Sequence, residues 1–272
     1  MPNLIVPAAV AAAASQVERT DAYYWRLFAT ALTFLVFGLS ALLLSILVLP
    51  LLHILPAQRC QYLSRALLQW AFRRFGGFMV ALGLLTYEFH GWDRLGQPGQ
   101  LIVANHPTLI DVVFLLAFAP QAGCVVKYTM LRNWLTRGIA TGAGYIGNAS
   151  VTHMLADAAA ALRAGQCLIM FPEGTRTRVG EPLNLQRGSA NVAVRAASKV
   201  TPVTIRCEPV TLTKSEPWYR IAPCRPHFTL TVGEDLPLGA SRAQASIPLA
   251  SRHFNEVLRQ YFQNQLAADD EP

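Results

Sequence analysis

Charged residues are scarce in this chain. Asp, Glu, Lys and Arg make up 14% of its 272 residues, and hydrophobic residues make up 53%, whereas a typical soluble domain is about 25% charged. This balance excludes a largely disordered chain and favours a protein that contacts lipid. The length predicts one domain of catalytic size with a smaller appendage.

The cysteines form no metal-binding or disulfide pattern. They are scattered, odd in number and never spaced as CxxC, which argues against a zinc site and against a disulfide framework. The five are Cys60, Cys124, Cys167, Cys207 and Cys224. Reduced, buried thiols facing a cytosolic compartment are expected, and no metal site is predicted.

Runs of Lys and Arg interleaved with aromatic residues are also missing, although the net charge is +7. A nucleic-acid groove usually has such runs, so nucleic acid is not expected as a partner. The positive charge suits an anionic lipid surface or a phosphorylated substrate instead.

The amino-terminal residues lack the Lys/Arg-led start of a secretory signal, so residues 1–24 are predicted to form a loose arm. From 27 to 49 no charged residue occurs. About 23 apolar or small residues, rising ~1.5 Å each, are enough to cross a ~30 Å hydrocarbon core. This segment predicts a transmembrane helix, with a buried core helix as the alternative.

Four arginines follow the apolar segment, at Arg59, Arg65, Arg73 and Arg74. By the positive-inside rule they place the rest of the chain on the cytoplasmic side. A second apolar stretch, 75–87, is too short to span and predicts an interfacial or re-entrant helix. Together these segments predict a membrane-seated helical anchor over residues 25–88, followed by a domain over 89–272.

Beyond residue 91, short strand-like runs alternate with helical stretches. Such alternation predicts an α/β fold with a mixed, layered sheet flanked by helices. Strands are predicted at 101–104, 123–127, 145–147, 167–171, 201–207 and 227–232, and helices at 150–164, 188–198 and 251–266.

A histidine and an aspartate follow the first of these strands. His106 comes directly after Asn105, and Asp111 lies five positions further on. An aspartate beside an imidazole fixes its tautomer and stabilises the imidazolium that forms when the other nitrogen takes a proton. His106 and Asp111 are therefore candidate catalytic residues acting on a substrate hydroxyl. Thr108 with Asp111 also fits a helix capping box, so the local pattern leaves a structural role open.

A second polar constellation, Phe-Pro-Glu-Gly-Thr-Arg over 171–176, follows another predicted strand. Arginine grips oxyanions through two hydrogen bonds, and glutamate accepts from hydroxyls, so the turn suits a polyol or phosphate head group. Taken alone, an ordinary exposed turn with a local ion pair is the alternative.

Together the two constellations resemble the motifs of the glycerolipid acyltransferase family, whose bacterial type is the 1-acylglycerol-3-phosphate acyltransferase. The resemblance covers roughly residues 85–215. The matching positions are Asn105, His106 and Asp111 in the first block, Phe171 to Arg176 in the third, the Val-Pro strand 200–203 around Pro202 in the fourth, and Lys127 and Gly188.

The resemblance implies an O-acyltransferase of phospholipid biosynthesis. In it, His106, held by Asp111, deprotonates the hydroxyl of a lysolipid acceptor for attack on the thioester of acyl-CoA or acyl-carrier protein. No cofactor, metal or covalent acyl-enzyme is implied, and backbone amides or Lys127 would face the oxyanion. The implied substrate-binding residues are Asn105, Lys127, Glu173, Gly174, Thr175 and Arg176, with Arg176 as the phosphate partner.

One position departs from the family pattern. The second block typically ends in an arginine, whereas here Gly147 is followed by Asn148. The missing charge favours an acceptor other than lysophosphatidate, such as a lyso-ornithine lipid, another lysophospholipid or a specialised lipid.

A thioesterase, in which the same pair activates water, and a non-catalytic lipid-binding membrane protein are the competing hypotheses. The intact His106 and Asp111 argue against the second. The head-group turn argues against the first, because water needs no head-group site. The expected location is the inner membrane, with the active site facing the cytoplasm.

Overall fold

The computed structural model describes residues 22–177, 183–214 and 216–267. Residues 1–21 of the predicted arm over 1–24 lie outside the described residues, so the arm stays a prediction. Helix α1 begins at Tyr23.

Helices and strands alternate along most of the described chain. The helices are α1 (Tyr23–Leu43), α2 (Leu49–Leu52), α3 (Ala57–Ala81), α4 (Asp111–Phe118), α5 (Tyr128–Arg132), α6 (Trp134–Gly142), α7 (Val151–Arg163), α8 (Arg187–Ala196), α9 (Gly239–Arg242) and α10 (Ile247–Ala267). The strands are β1 (Thr86–His90), β2 (Gln100–Ala104), β3 (Gly123–Val126), β4 (Ile146–Gly147), β5 (Leu168–Met170), β6 (Lys199–Glu208) and β7 (His227–Val232). A π-helical turn, Leu44–Val48, joins α1 to α2.

The strands form one mixed sheet in the order β1-β7-β6-β2-β5-β3-β4. Neighbours are parallel except β6 and β7. The predicted α/β fold with a mixed sheet flanked by helices is confirmed. Because β2 and β5 are parallel neighbours, their carboxyl ends lie side by side at one edge of the sheet. Both polar constellations follow these two ends.

Each face of the sheet is covered by helices and buries its own apolar cluster. On one face α4 packs against the sheet and α3 packs on α4, with Phe114 fully buried. On the other, α7, α8 and α10 pack together around Phe254 and Phe262. Each such large side chain contributes about 1.5–3 kcal/mol when it leaves water. The core therefore holds the strand ends that carry the polar residues.

The short helix predicted over 75–87 is wrong. Residues 57–81 form one helix, α3, which buries Leu68 and Met79 against the domain. After a turn at Gly83, whose φ is +72°, the chain enters β1, which pairs with β7 from Thr86 onwards. The apolar stretch therefore contains the end of a helix and the start of an edge strand. Counting apolar residues does not reveal the boundary between the two.

The apolar amino-terminal helix is continuous from Tyr23 to Leu52, and it is the one helix among the described residues long and apolar enough to cross a membrane. One side packs on the domain: Arg26 donates to the carbonyls of Ala222 and Pro223, and Phe37 contacts Phe75. The opposite side is exposed. Crossing of the bilayer stays a prediction.

Arg65 joins α3 to three loops at the amino-terminal edge of the sheet. Its guanidinium donates to the carbonyls of Ala143 and Gln121 and to the side chain of Gln166, at 2.8 to 3.0 Å. The side chain is buried. This predicted cytoplasmic arginine therefore belongs to the packing of the fold.

We expect Arg65→Met to lower the free energy of unfolding by about 2–4 kcal/mol, because the acceptors that Arg65 bonds lose a charged donor. Chemical unfolding in detergent, followed by circular dichroism, measures this change. Arg74→Met, at an exposed position of the same helix, serves as the control and should change stability by less than about 1 kcal/mol. Equal effects of the two substitutions would contradict the role assigned to Arg65.

Candidate active site

His106 and Asp111 form a hydrogen-bonded pair directly after β2. The distance from His106 Nδ1 to Asp111 Oδ2 is 2.8 Å, and the aspartate side chain is wholly buried as the first residue of α4. A carboxylate accepts hydrogen bonds, so Nδ1 carries the proton and Nε2 keeps a free lone pair. His106 itself lines a cavity, as a general base requires.

Two further hydrogen bonds hold the aspartate. The Thr108 backbone N–H donates to Oδ2 at 2.7 Å, and the Thr108 hydroxyl donates to Oδ1 at 2.5 Å. The helix cap is Ile110, without a side-chain capping bond. One half of the capping box considered for Thr108 is thus formed, since the Thr108 N–H donates to the Asp111 carboxylate. The Thr108 hydroxyl donates to the same carboxylate and does not cap a backbone N–H, so the threonine also orients Asp111.

The second constellation is joined to the histidine through the backbone. The His106 N–H donates to Glu173 Oε1 at 2.8 Å, and the Thr177 N–H donates to the His106 carbonyl at 2.9 Å. The Phe171 ring stacks on the imidazole at 4.2 Å between centroids. The two backbone hydrogen bonds join the loop after β2 to the loop after β5. The stacked Phe171 ring holds the imidazole itself in place.

Glu173 is buried, and both of its carboxylate oxygens have protein partners. One accepts from His106 N–H and the other from the Thr177 hydroxyl. Burial raises the pKa of the Glu173 carboxyl above its ordinary value, although hydrogen bonds from Thr177 and His106 act in the opposite direction. In this geometry Glu173 holds the two loops together, and its predicted contact with a substrate stays a prediction.

Asn105 and Arg176 also have protein partners. The Asn105 side chain bonds both the N–H and the carbonyl of Ile205 in β6, at 2.7 and 2.8 Å. Arg176 Nη1 donates to the carbonyls of Leu212 and Thr213 at 2.8 and 2.9 Å. Asn105 thus fixes the end of β2, whereas Arg176 fixes a loop and still lines the cavity.

A cavity of about 500 Å³ opens beside His106. Of the predicted binding residues, Lys127, Gly174, Thr175 and Arg176 line it. Most of its remaining wall is apolar and comes from the sheet, α1, α3 and α4. These apolar lining residues include Phe34, Phe37, Phe75, Met79, Leu84, Val113, Val126, Met170 and Phe228. The imidazole therefore lies where polar lining residues meet a long apolar space.

Three lining features went unpredicted. Helix α1, expected to anchor the chain, contributes Thr30 and Thr33 to the wall; their helical spacing within an apolar run was the available signal. Lys214 also lines the cavity, and no local motif marks it. Cys124 lies in the wall too, and burial raises the pKa of its thiol to about 12. At neutral pH it is therefore a neutral thiol and a poor nucleophile.

The sequence and the fold were compared with those of known proteins. Residues 86–206 match the family described as Acyltransferase. Over this segment the chain is similar to the glycerolipid acyltransferase family. The match has nearly the extent predicted from the motifs, and the resemblance is confirmed.

Two curated relatives are 1-acyl-sn-glycerol-3-phosphate acyltransferases. The protein from Borreliella burgdorferi is 28% identical over 111 residues, which cover 39% of this chain and 44% of that protein. The protein from Helicobacter pylori is 29% identical over 113 residues, covering 39% of this chain and 48% of that protein. The chain thus spans less than half the length of each of these relatives.

A solved structure shares the fold over most of both chains. The crystal structure of the 1-acyl-sn-glycerophosphate acyltransferase PlsC from Thermotoga maritima superposes with a TM-score of 0.68, covering 89% of this chain and 96% of that chain. The sequences are 19% identical. This likeness extends the shared architecture beyond the matched segment to the amino-terminal helices and the carboxyl-terminal part.

We expect the stability of the Glu173→Gln variant relative to wild type to increase as the pH rises. A raised native pKa means that the native state holds the proton more tightly than the unfolded chain. The favourable contribution of Glu173 is therefore complete below the ordinary glutamate pKa of about 4.3 and is lost as the pH rises through the raised native value. Glutamine stays neutral: its amide oxygen can accept from the His106 N–H, and its amide NH2 can donate to the Thr177 hydroxyl.

Urea unfolding at several pH values between about 4 and about 8 tests this expectation. The control is Glu234→Gln, since the Glu234 side chain is 94% exposed. A difference between wild type and Glu173→Gln that stays constant over this range would contradict the effect of burial on Glu173.

Proposed function

We propose that the chain is an O-acyltransferase that moves a fatty acyl group from an acyl thioester to the hydroxyl of a lysolipid of the 1-acylglycerol-3-phosphate type. The observation that carries the proposal is the His106 imidazole, bonded at 2.8 Å to a buried aspartate and lining a largely apolar cavity. The family match over residues 86–206 and the names of the two curated relatives support the same reaction.

In the proposed reaction His106 Nε2 takes the proton of the acceptor hydroxyl as its oxygen attacks the thioester carbonyl. The tetrahedral intermediate collapses, so that a carbon–oxygen bond replaces the carbon–sulfur bond. The leaving thiolate takes the proton from the imidazolium, which returns His106 to its starting state. Asp111 stabilises the imidazolium between these steps, and Lys127 is the candidate partner of the oxyanion. No step needs a metal or cofactor.

The apolar part of the cavity is proposed to hold acyl chain. A fatty chain gains about 0.8 kcal/mol for each methylene that leaves water, and Phe34, Met79 and Val113 offer such a surface near His106. Acyl-CoA and acyl-carrier protein both present a thioester at the end of a flexible arm, so both are retained as donors.

A thioesterase remains the second candidate reaction, because a paired histidine can equally activate water. The polar and basic residues at the cavity favour transfer, since they provide sites for a head group that water does not have. The hypothesis of a non-catalytic lipid-binding protein is disfavoured by three hydrogen bonds to Asp111. One comes from the His106 imidazole, and the two from Thr108 hold the carboxylate in the orientation that this bond requires.

We further propose that the exposed sides of α1 and α3 contact membrane lipid, on the cytoplasmic face of the inner membrane. Large apolar side chains are exposed along both helices, and a contiguous patch of this kind marks a membrane or protein contact. They include Phe28, Leu35, Leu39, Leu43, Leu47, Leu63 and Trp70. A lipid-facing surface beside the cavity would give both fatty substrates a short path to His106.

His106→Ala should lower acceptor-dependent thiol release from acyl-CoA by about two to four orders of magnitude, because the general base is lost. The assay uses detergent-purified full chain with and without lysophosphatidate. His153→Ala, on the surface helix α7, is the control and should keep wild-type activity. Release by wild type that is independent of any lysolipid would establish the thioesterase instead.

Thr30→Phe should shift the preferred acyl donor to shorter chains, because the larger side chain occupies part of the apolar wall. A misplaced methylene costs about 1–3 kcal/mol, so kcat/KM for the longest good donor should fall ten-fold or more. Leu35→Phe, on the exposed side of the same helix, should leave the chain-length profile unchanged. An unchanged profile for Thr30→Phe would place the acyl chain elsewhere.

A further inference from the structure

Basic side chains line the cavity, although lysine is rare in this chain. The chain has three lysines, Lys127, Lys199 and Lys214. Lys127 and Lys214 line the cavity, together with Arg176. Among the described lining residues there is no aspartate or glutamate. The lining formed by the described residues therefore carries more positive than negative charge.

Asn148, which stands where the family pattern typically has an arginine, adds no positive charge to the cavity. Asn148 lines the cavity, but its side-chain oxygen accepts from the Tyr128 N–H at 3.0 Å, and its own N–H donates to Val126 at 3.1 Å. Asn148 therefore fixes the start of α5 after β3. A head group that needs a second cation at this site must find it on another residue.

Lys214 is on a segment that the site itself holds in place. Arg176 Nη1 bonds the carbonyls of Leu212 and Thr213, the two residues before Lys214. The Leu109 N–H, from the loop between His106 and Asp111, also donates to the Leu212 carbonyl at 3.2 Å. Thr213 is buried, and its hydroxyl donates to Glu216. Both polar constellations therefore determine where the Lys214 backbone lies.

The ammonium of Lys214 is left available by these contacts. Within the part of the chain that the structure describes, no carboxylate oxygen lies within 4.0 Å of the ammonium of Lys214 or Lys127. Lys199, at the amino-terminal edge of the sheet, pairs with Asp235 at 3.8 Å. The two lysines at the cavity thus keep their charge for a ligand.

We propose that Lys214 determines acceptor specificity by binding the phosphate of the lysolipid, supplying the charge that Asn148 lacks. Arg176 is in this account a positioning residue for the Lys214 segment as well as a neighbour of the head group. A lysine is a compact charge on a flexible stem, which suits a phosphate monoester carrying between one and two negative charges. The inference rests on the proposed transferase function and names its acceptor class.

The test compares wild type, Lys214→Gln, Lys214→Arg and the control Lys199→Gln in the full chain. Two acceptors are used at saturating acyl-CoA: lysophosphatidate, and monoacylglycerol, which has the same glycerol and chain without phosphate. Lys214→Gln should raise the KM for lysophosphatidate about ten-fold with kcat nearly unchanged, which corresponds to one lost charged contact. Lys214→Arg should restore most of the loss. Monoacylglycerol transfer and Lys199→Gln should match wild type.

Three results would overturn the assignment. They are an unchanged KM for lysophosphatidate, an equal rise for both acceptors, and a rise confined to the KM for acyl-CoA, whose own phosphates would then be the ligand of Lys214. Equilibrium binding of lysophosphatidate without donor is measured on the same four proteins. If wild type shows no acceptor-dependent transfer, the proposed reaction fails, and this binding measurement still decides the role of Lys214.

Discussion

The hydrogen bond between His106 and the buried carboxylate of Asp111 is the interaction on which the site depends. A buried carboxylate is stable only where donors replace its lost water. The imidazole Nδ1–H and the two Thr108 donors meet this need. Satisfying Asp111 therefore fixes the tautomer and the direction of the imidazole. The geometry that makes His106 a base is the same geometry that makes the buried aspartate tolerable.

The sheet topology extends this constraint to the rest of the site. Parallel pairing of β2 with β5 places Glu173 beside the His106 backbone, where hydrogen bonds from His106 and Thr177 offset part of the cost of burying the carboxylate. Arg176, three residues further on, reaches the loop after β6. The turn thus supports neighbouring loops through Glu173 and Arg176, while Gly174, Thr175 and Arg176 line the cavity with the two lysines.

Local motifs predicted those parts of the site whose contacts are short in sequence. His106 and Asp111 are five residues apart, and the turn 171–176 is contiguous. Their chemistry can therefore be predicted from the sequence without knowledge of the fold. Edge strand β1 and the role of α1 depend on contacts that cross the chain: Arg26 bonds carbonyls 196 and 197 residues away. Lys214 is of the same kind, because Arg176 and Leu109, which are distant in sequence, bond the segment that carries it. Periodicity and propensity carry no information on such pairings.

The position of His106 follows from the shape of the proposed substrates. An acyl thioester and a lysolipid each have an anionic part and a long apolar part, and the reacting carbonyl and hydroxyl lie between these parts. A catalytic base must therefore stand where a basic, polar lining meets an apolar space. In this fold Lys127, Lys214 and Arg176 provide the former, and α1, α3 and the sheet provide the latter. A thioesterase would share this boundary, because its acyl thioester substrate has the same two parts. Transfer differs from hydrolysis in needing a further site for the head group of the acceptor, and the polar and basic lining residues offer such a site.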